Sequence, residues 1–257
     1  MARKKIYAAN WKMNKVVSEV ESFVQEFANY DFGGDGYEIV VFAPSTALGK
    51  LSELSSHFPG TYGAQNMYYE DSGAFTGEVS PLMVKDLGCT WILVGHSERR
   101  GIFNEDDEMV HKKILAALKH GLRPMICVGE TIEERKAGKL FEKVQSQIAS
   151  AFDGITPAQL SKVSVAYEPI WAIGTGETAS GEQAEEMCSY IRKEIVKLYD
   201  EGSAEDIPVL YGGSVKPANV GDLMGFPNID GGLIGGASLK PGSFREIIVN
   251  GNEALGK

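Results

Sequence analysis

The chain has 257 residues, of which 43% are hydrophobic and 23% are charged. This apolar content is typical of a globular protein and excludes a disordered chain, and no apolar run approaches the ~18 residues that a membrane span needs. The formal net charge of −10 argues against a nucleic-acid-binding protein, because such proteins usually present a basic face to phosphates.

The three cysteines indicate a reducing compartment. Cys89, Cys127 and Cys188 are odd in number, widely separated and free of any C-x-x-C pattern, which excludes a disulfide framework and a cysteine-based zinc site. We expect each to be a small buried residue. The N-terminal segment is basic but holds too short an apolar stretch for a signal peptide. These features predict a cytoplasmic protein that contacts no membrane.

Eight short apolar runs, several of them rich in β-branched residues, predict β-strands. They cover residues 5–9, 38–43, 61–64, 91–94, 123–128, 163–167, 208–211 and 231–234. The runs recur about every 32 residues, which is the length of one strand, one helix and two loops. Because they are apolar throughout rather than alternating, they indicate a parallel sheet with both faces buried.

Helical periodicity fills the segments between the runs. Residues 20–28 and 184–198 place apolar side chains at the spacing of one helix face. Helix starts are predicted at three sites: Thr131 with Glu134, Ser180 with Gln183, and Asn104 ahead of Glu105, Asp106 and Asp107. Gly121 marks the predicted end of the last of these helices.

This alternation predicts an α/β protein, namely a single (βα)8 barrel domain over residues 1–257. An open doubly wound sheet would also satisfy the alternation. However, no G-x-G-x-x-G follows the first predicted strand, and no linker interrupts the chain, so the barrel is favoured.

Chemistry in such a barrel is built at the C-terminal ends of the strands. Asn10 and Lys12 follow the first predicted strand, His96 follows the fourth, and Glu168 follows the sixth. An ammonium suits a phosphate or enolate oxygen, and imidazole and carboxylate groups transfer protons. The alternatives are a solvated lysine, a structural histidine and a helix-capping glutamate. We expect a shared catalytic site.

Two glycine loops follow the last two predicted strands. Gly212-Gly213-Ser214 leads toward a helix expected near Pro217, and Gly235-Gly236 leads toward one near Pro241. Glycine lets backbone amides approach an anion, and a helix N-terminus adds positive potential. Tight turns alone would explain either loop, but together they predict a phosphate site.

An apolar segment follows Glu168 where a loop should be polar. We expect it to be a lid over the site, formed by Pro169, Ile170, Trp171, Ala172, Ile173, Gly174 and Thr175. A carboxylate beneath such a lid loses hydration, which is expected to raise its pKa. The alternative is that Ile170 and Trp171 belong to the core.

Five segments together resemble the triosephosphate isomerase family. They are NWKMN at 10–14, GHSERR at 95–100, YEPIWAIGTG at 167–176, YGGSV at 211–215 and GGASL at 235–239. The resemblance covers nearly the whole chain in order, and it implies a TIM barrel that interconverts dihydroxyacetone phosphate and D-glyceraldehyde 3-phosphate through an enediolate, in glycolysis and gluconeogenesis. The family is itself a standard example of a glutamate base, a neutral histidine and loop closure.

The resemblance also implies roles for individual residues. Glu168 would remove the carbon-bound proton and return it to the neighbouring carbon. His96, as a neutral imidazole, would polarise the carbonyl and move protons between the two oxygens. Lys12 and Asn10 would stabilise the negative charge, and Glu98 would orient Lys12. The amides that would bind phosphate belong to Gly174, Ser214, Gly235 and Gly236. No metal and no organic cofactor is expected.

A homodimer is implied as well, with the loop at residues 65–78 inserted into the partner. Met67, Tyr68, Tyr69 and Phe75 give this loop much apolar area, although it could instead fold back on its own barrel. Two other functions stay open: another phosphate-binding barrel enzyme, and a catalytically silent barrel that acts as a binding or scaffold protein.

Overall fold

The computed structural model describes residues 3–173 and 179–256. Eight parallel strands form a closed barrel in chain order, with β8 paired to β1, which confirms the predicted (βα)8 architecture. The strands are β1 Lys5–Asn10, β2 Tyr37–Ala43, β3 Thr61–Ala64, β4 Trp91–Val94, β5 Arg123–Val128, β6 Ser164–Tyr167, β7 Val209–Tyr211 and β8 Gly231–Ile234.

Helices surround the barrel. Those in the described residues are α1 Val17–Phe27, α2 Ser45–Glu53, α3 Pro81–Asp86, α4 Ser97–Ile102, α5 Asp107–Lys119, α6 Ile132–Lys136, α7 Leu140–Phe152, α8 Gly181–Leu198, α9 Glu201–Glu205, α10 Val220–Met224 and α11 Pro241–Ala254. Short 3-10 helices cover Ser55–His57, Pro157–Lys162, Ile170–Ala172 and Gly236–Leu239. Across 3–173 and 179–256, no helix combines the length and apolar character that crossing a membrane requires.

Local sequence signals explain most helix boundaries. Capping boxes open α6 at Thr131 and α8 at Ser180, as predicted. The predicted cap at Asn104 is wrong: Asp106 caps α5 by accepting from the Met109 amide at 2.8 Å. Asn104 instead has φ of 56°, the left-handed conformation that asparagine tolerates better than most residues. It therefore belongs to the turn that precedes α5.

Two apolar layers hold the barrel together, one on each face of the strands. Side chains such as Ile6 and Ala8 point into the barrel interior, and alternate residues such as Tyr7 and Ala9 pack under the helices. This arrangement explains why the strands read as uninterrupted apolar runs. The cysteines lie in these layers and are buried and unpaired, as expected.

Candidate active site

Three groups that the sequence singles out meet in one cavity at the C-terminal ends of the strands. Lys12 follows β1, His96 follows β4 and Glu168 follows β6, and all three line a cavity of about 500 Å³. Both glycine loops line the same cavity. The barrel therefore brings together residues from distant parts of the chain.

Lys12 is held by backbone and side-chain contacts. Its φ of 51° is unusual for a residue with a side chain, and its amide donates to Oδ1 of Asn10 at 3.0 Å. Its ammonium group lies 2.5 Å from Oε1 of Glu98. A strained backbone that neighbouring groups enforce is common at functional sites, and here it fixes where the ammonium group enters the cavity.

Two contacts orient the imidazole of His96. Nδ1 accepts the backbone amide of Glu98 at 3.2 Å, so this nitrogen carries no proton. Nε2 lies 2.9 Å from Oε1 of Glu168, and it must be the nitrogen that donates. These contacts orient the imidazole so that Nε2 faces the cavity and can donate to a group bound there.

Glu168 is buried, with 2% of its surface exposed. Besides His96, its carboxylate accepts the Ser97 amide at 2.9 Å. The backbone of Glu168 passes so close to Gly129 that a Cβ there would lie 1.8 Å from the Glu168 carbonyl oxygen. Only glycine permits this approach. The close approach places the Glu168 carboxylate next to the first residue of α4, Ser97.

The pKa of Glu168 departs from the sequence expectation. Burial raises the pKa, as predicted, but the His96 imidazole, the Ser97 amide and the Lys12 ammonium together outweigh burial, so the net pKa is lowered. Hydrogen bonds and positive charge favour the ionised form more than lost hydration disfavours it. The prediction of a raised pKa is therefore wrong for this conformation.

Packing demands glycine in the loop after β7, where a Cβ at Gly213 would lie 2.1 Å from the Tyr211 hydroxyl oxygen, but not throughout the loop after β8. A Cβ at Gly236 would meet nothing within 4 Å, so packing does not demand glycine there. The helices after the loops differ in part from expectation. α11 begins at Pro241, as predicted, but a 3-10 turn precedes it, and α10 begins at Val220 rather than near Pro217.

The first half of the expected lid is anchored in this structure. Ile170–Ala172 form a 3-10 helix, and the Trp171 indole donates to Oε1 of the buried Glu130 at 3.0 Å. The hydroxyl of Tyr167 donates to the same oxygen at 3.0 Å, and Arg135 lies 3.1 Å from it. Two other residues assigned to the lid, Gly174 and Thr175, lie outside the described residues.

Two residues at the site, Gln65 and Glu130, could not be recognised from the sequence pattern. The amide of Gln65 donates to Asn10, to the Lys12 carbonyl and to the Phe42 carbonyl at 3.0–3.2 Å, and so braces the strand ends below Lys12. The sequence predicts Gln65 only as part of the dimer loop. Its acceptors belong to β1 and β2 and their loops, so sequence spacing carried no signal for this contact.

The residues at 3–173 and 179–256 contain no cluster of three or more histidine, cysteine, aspartate or glutamate side chains that could hold a metal ion.

Together, the fold and the site define the class as a (βα)8-barrel protein with an ammonium, an imidazole and a carboxylate at its C-terminal face. The sequence profile described as "Triosephosphate isomerase" matches residues 5–251. The chain therefore belongs to the triosephosphate isomerase family.

Three relatives carry that same name, and each is 48% identical to the chain. The relative from Dictyoglomus thermophilum aligns over 96% of the chain and 99% of its own length. Those from Finegoldia magna and Lactobacillus delbrueckii subsp. bulgaricus align over 96% of the chain and 98% of their own lengths.

Proposed function

We propose that the chain interconverts dihydroxyacetone phosphate and D-glyceraldehyde 3-phosphate. The observation that carries this proposal is the convergence of Lys12, His96 and Glu168 on one cavity that both glycine loops also line. The names of the relatives support the same reaction.

Glu168 acts as the base. It takes the proton from the carbon next to the carbonyl and returns it to the neighbouring carbon, which converts ketose to aldose through an enediolate. The lowered pKa keeps the carboxylate ionised near neutral pH. The carboxylate is held by one imidazole and one amide, so a substrate that engages His96 frees it to face the substrate carbon.

His96 and Lys12 stabilise the charge that develops on oxygen. The N–H group at Nε2 of His96 donates to the substrate carbonyl, and the same imidazole moves protons between the two oxygens. Lys12, oriented by Glu98 and assisted by Asn10, offsets the negative charge of the enediolate. Such preorganised groups lower the barrier because they need no reorientation during the reaction.

Backbone amides of the glycine loops bind the phosphate. Ser214, Gly235 and Gly236 line the cavity opposite the base, and Gly174 completes the set in our proposal. Closure of the segment at 169–175 over the bound substrate excludes water and protects the enediolate from loss of phosphate. Neither a metal nor an organic cofactor takes part in this chemistry.

A coupled steady-state assay with D-glyceraldehyde 3-phosphate tests the reaction. We expect turnover that 2-phosphoglycolate inhibits competitively, and deuterium from D₂O on the carbon next to the carbonyl of the product. Turnover without deuterium incorporation would exclude proton abstraction by a carboxylate that exchanges with solvent. The absence of turnover would favour a silent barrel or a different sugar phosphate as substrate.

We also propose that the protein is a cytoplasmic homodimer. Met67 is buried in its own barrel, so the loop at 65–78 contributes less apolar surface than its sequence suggested. Phe75 at the loop tip is 40% exposed, however, and Met13 and Phe103 are more exposed still. Met13 and Phe103 line a second cavity, which adjoins the first and which a partner's loop would fill. Unpaired cysteines suit a reducing compartment.

The assembly is tested with Phe75→Glu, which places a charge at the centre of the proposed contact. We expect the dissociation constant of the dimer to rise by at least about 10-fold, because a charge would lose its hydration there. Leu198→Glu on α8 is the matched control, since Leu198 is also about half exposed but lies away from this surface. Equal sedimentation of both variants as dimers would contradict the proposed interface.

A further inference from the structure

The charges around the candidate active site raise a problem for an anionic substrate. The chain carries a formal net charge of −10, and a phosphate monoester carries about −1.5 to −2 at neutral pH. Within the cavity lining, Lys12 is paired with Glu98, and Glu168 adds a second carboxylate. Among these described lining side chains, two carboxylates therefore oppose one ammonium group, an arrangement that disfavours an anion.

One further cation lines the same cavity. Lys216 stands two residues after Ser214, on the loop that follows β7, and its side chain is exposed. In the described residues no carboxylate lies within ion-pair distance of Lys216, whereas Lys12 has Glu98. A cation that no carboxylate neutralises contributes its full charge to the field at the cavity mouth.

The loop holds Lys216 at this position. The amide of Lys216 donates to Oδ1 of Asn219 at 2.8 Å, and the side-chain amide of Asn219 donates to the Ser214 carbonyl at 2.9 Å. The nearby Pro217 carbonyl accepts from Asn250 on α11 at 2.9 Å. These contacts fix the backbone on both sides of Lys216, so that the root of its side chain stays beside the proposed phosphate-binding amides.

We propose that Lys216 is a specificity-determining residue that attracts the phosphate group of the substrate and selects the charged substrate over an uncharged analogue. This inference rests on the proposed function, because it takes the cavity as the site of a triose phosphate. Lys216 adds a second ammonium group to a described lining that otherwise holds Lys12 and two carboxylates, which reduces the repulsion that would oppose entry of a dianion. It takes no part in proton transfer.

The test compares Lys216→Gln with Lys162→Gln in the full chain. Lys162 is an exposed lysine just before β6, at the opposite end of the barrel, and its replacement changes the net charge by the same amount. Each variant is assayed with D-glyceraldehyde 3-phosphate at about 0.01 M and about 1 M salt, where the screening length is roughly 30 Å and 3 Å. Proton exchange of unphosphorylated D-glyceraldehyde is followed in parallel by NMR.

We expect Lys216→Gln to lower kcat/KM for the phosphorylated substrate about three- to tenfold at low salt, the size expected for one charge acting through water. The loss should appear mainly in KM, shrink toward none at high salt, be absent with D-glyceraldehyde, and be rescued by Lys216→Arg. Lys162→Gln should behave as wild type.

Three results would overturn the proposal: a wild-type kcat/KM for Lys216→Gln at low salt, an equal loss in Lys162→Gln, or a loss that persists at high salt and with D-glyceraldehyde. The last would indicate a structural role. If the wild type shows no isomerase turnover, the proposed function fails separately. Binding of inorganic phosphate to wild type and Lys216→Gln, followed by ³¹P NMR at the two salt concentrations, then decides the role of Lys216.

Discussion

Two of the buried carboxylates, Asp230 and Glu168, lie at opposite ends of the barrel, and their surroundings differ. Asp230, just before β8, contacts Arg3, Lys5 and Arg192 at 2.7–3.2 Å and also accepts the Val209 amide. Glu168, just after β6, contacts the His96 imidazole and the Ser97 amide and faces a cavity, and no lysine or arginine of the described residues forms an ion pair with it.

The difference shows how one fold separates stability from chemistry. Several cations around Asp230 leave its carboxylate no freedom to bind anything else, so its role is structural. The few partners of Glu168 can be exchanged for a substrate. Burial alone therefore does not mark a functional carboxylate; a small number of partners beside an open cavity does.

The largest expected effect comes from shortening Glu168. Glu168→Asp moves the carboxylate back by about one methylene, and a displacement near 1 Å can cost ~10²-fold in rate. We expect at least this loss in kcat in the coupled assay, with a thermal unfolding midpoint close to that of the wild type. A loss of only a few-fold would mean that Glu168 is not the base.

At Asp230 we expect a substitution to lower the stability of the fold and to leave kcat nearly unchanged. Asp230→Asn keeps the shape but leaves Arg192, which is 6% exposed, without its carboxylate. Removing one partner of a buried ion pair typically costs about 3–5 kcal/mol. Chemical denaturation should show a loss of this size in the free energy of unfolding, while kcat at low temperature stays near the wild-type value. A large fall in kcat in the folded variant would contradict the division of roles.

The smallest expected effect is the pH dependence of stability at Glu168. Because the folded pKa is lowered, the ionised carboxylate stabilises the fold above the unfolded pKa of about 4.3, and this contribution is lost as pH falls through the folded pKa. The difference in unfolding free energy between the wild type and Glu168→Gln should be flat from pH 7 to about 5 and then shrink. A difference that grows on acidification would mean that burial dominates instead.

The positions of the strands could be predicted from the sequence because the strands are apolar on both faces. The runs at 61–64, 91–94, 123–128 and 231–234 coincide with observed strands. The placement of Lys12, His96 and Glu168 at strand ends followed from the barrel topology alone. These predictions needed only local composition and one rule about where barrels carry their loops.

What the sequence could not predict depends on contacts between distant segments. The direction of the Glu168 pKa shift required knowing that the Ser97 amide points at the carboxylate. The brace formed by Gln65 required knowing that three acceptors converge on one amide. Burial of Met67 depended on how its loop folds back. None of these geometries leaves a periodic pattern along the chain.

Closure of the barrel has a consequence for how the chain comes to fold. β1 completes its pairing only with β8, and Arg3 meets Asp230 across 227 residues of sequence. During synthesis the first strand must therefore wait, with one unpaired edge, until almost the whole polypeptide has left the ribosome. Contacts of such long range slow folding, and an open edge invites pairing with other chains. Nascent chains stalled before the final strand should be the species most prone to aggregate.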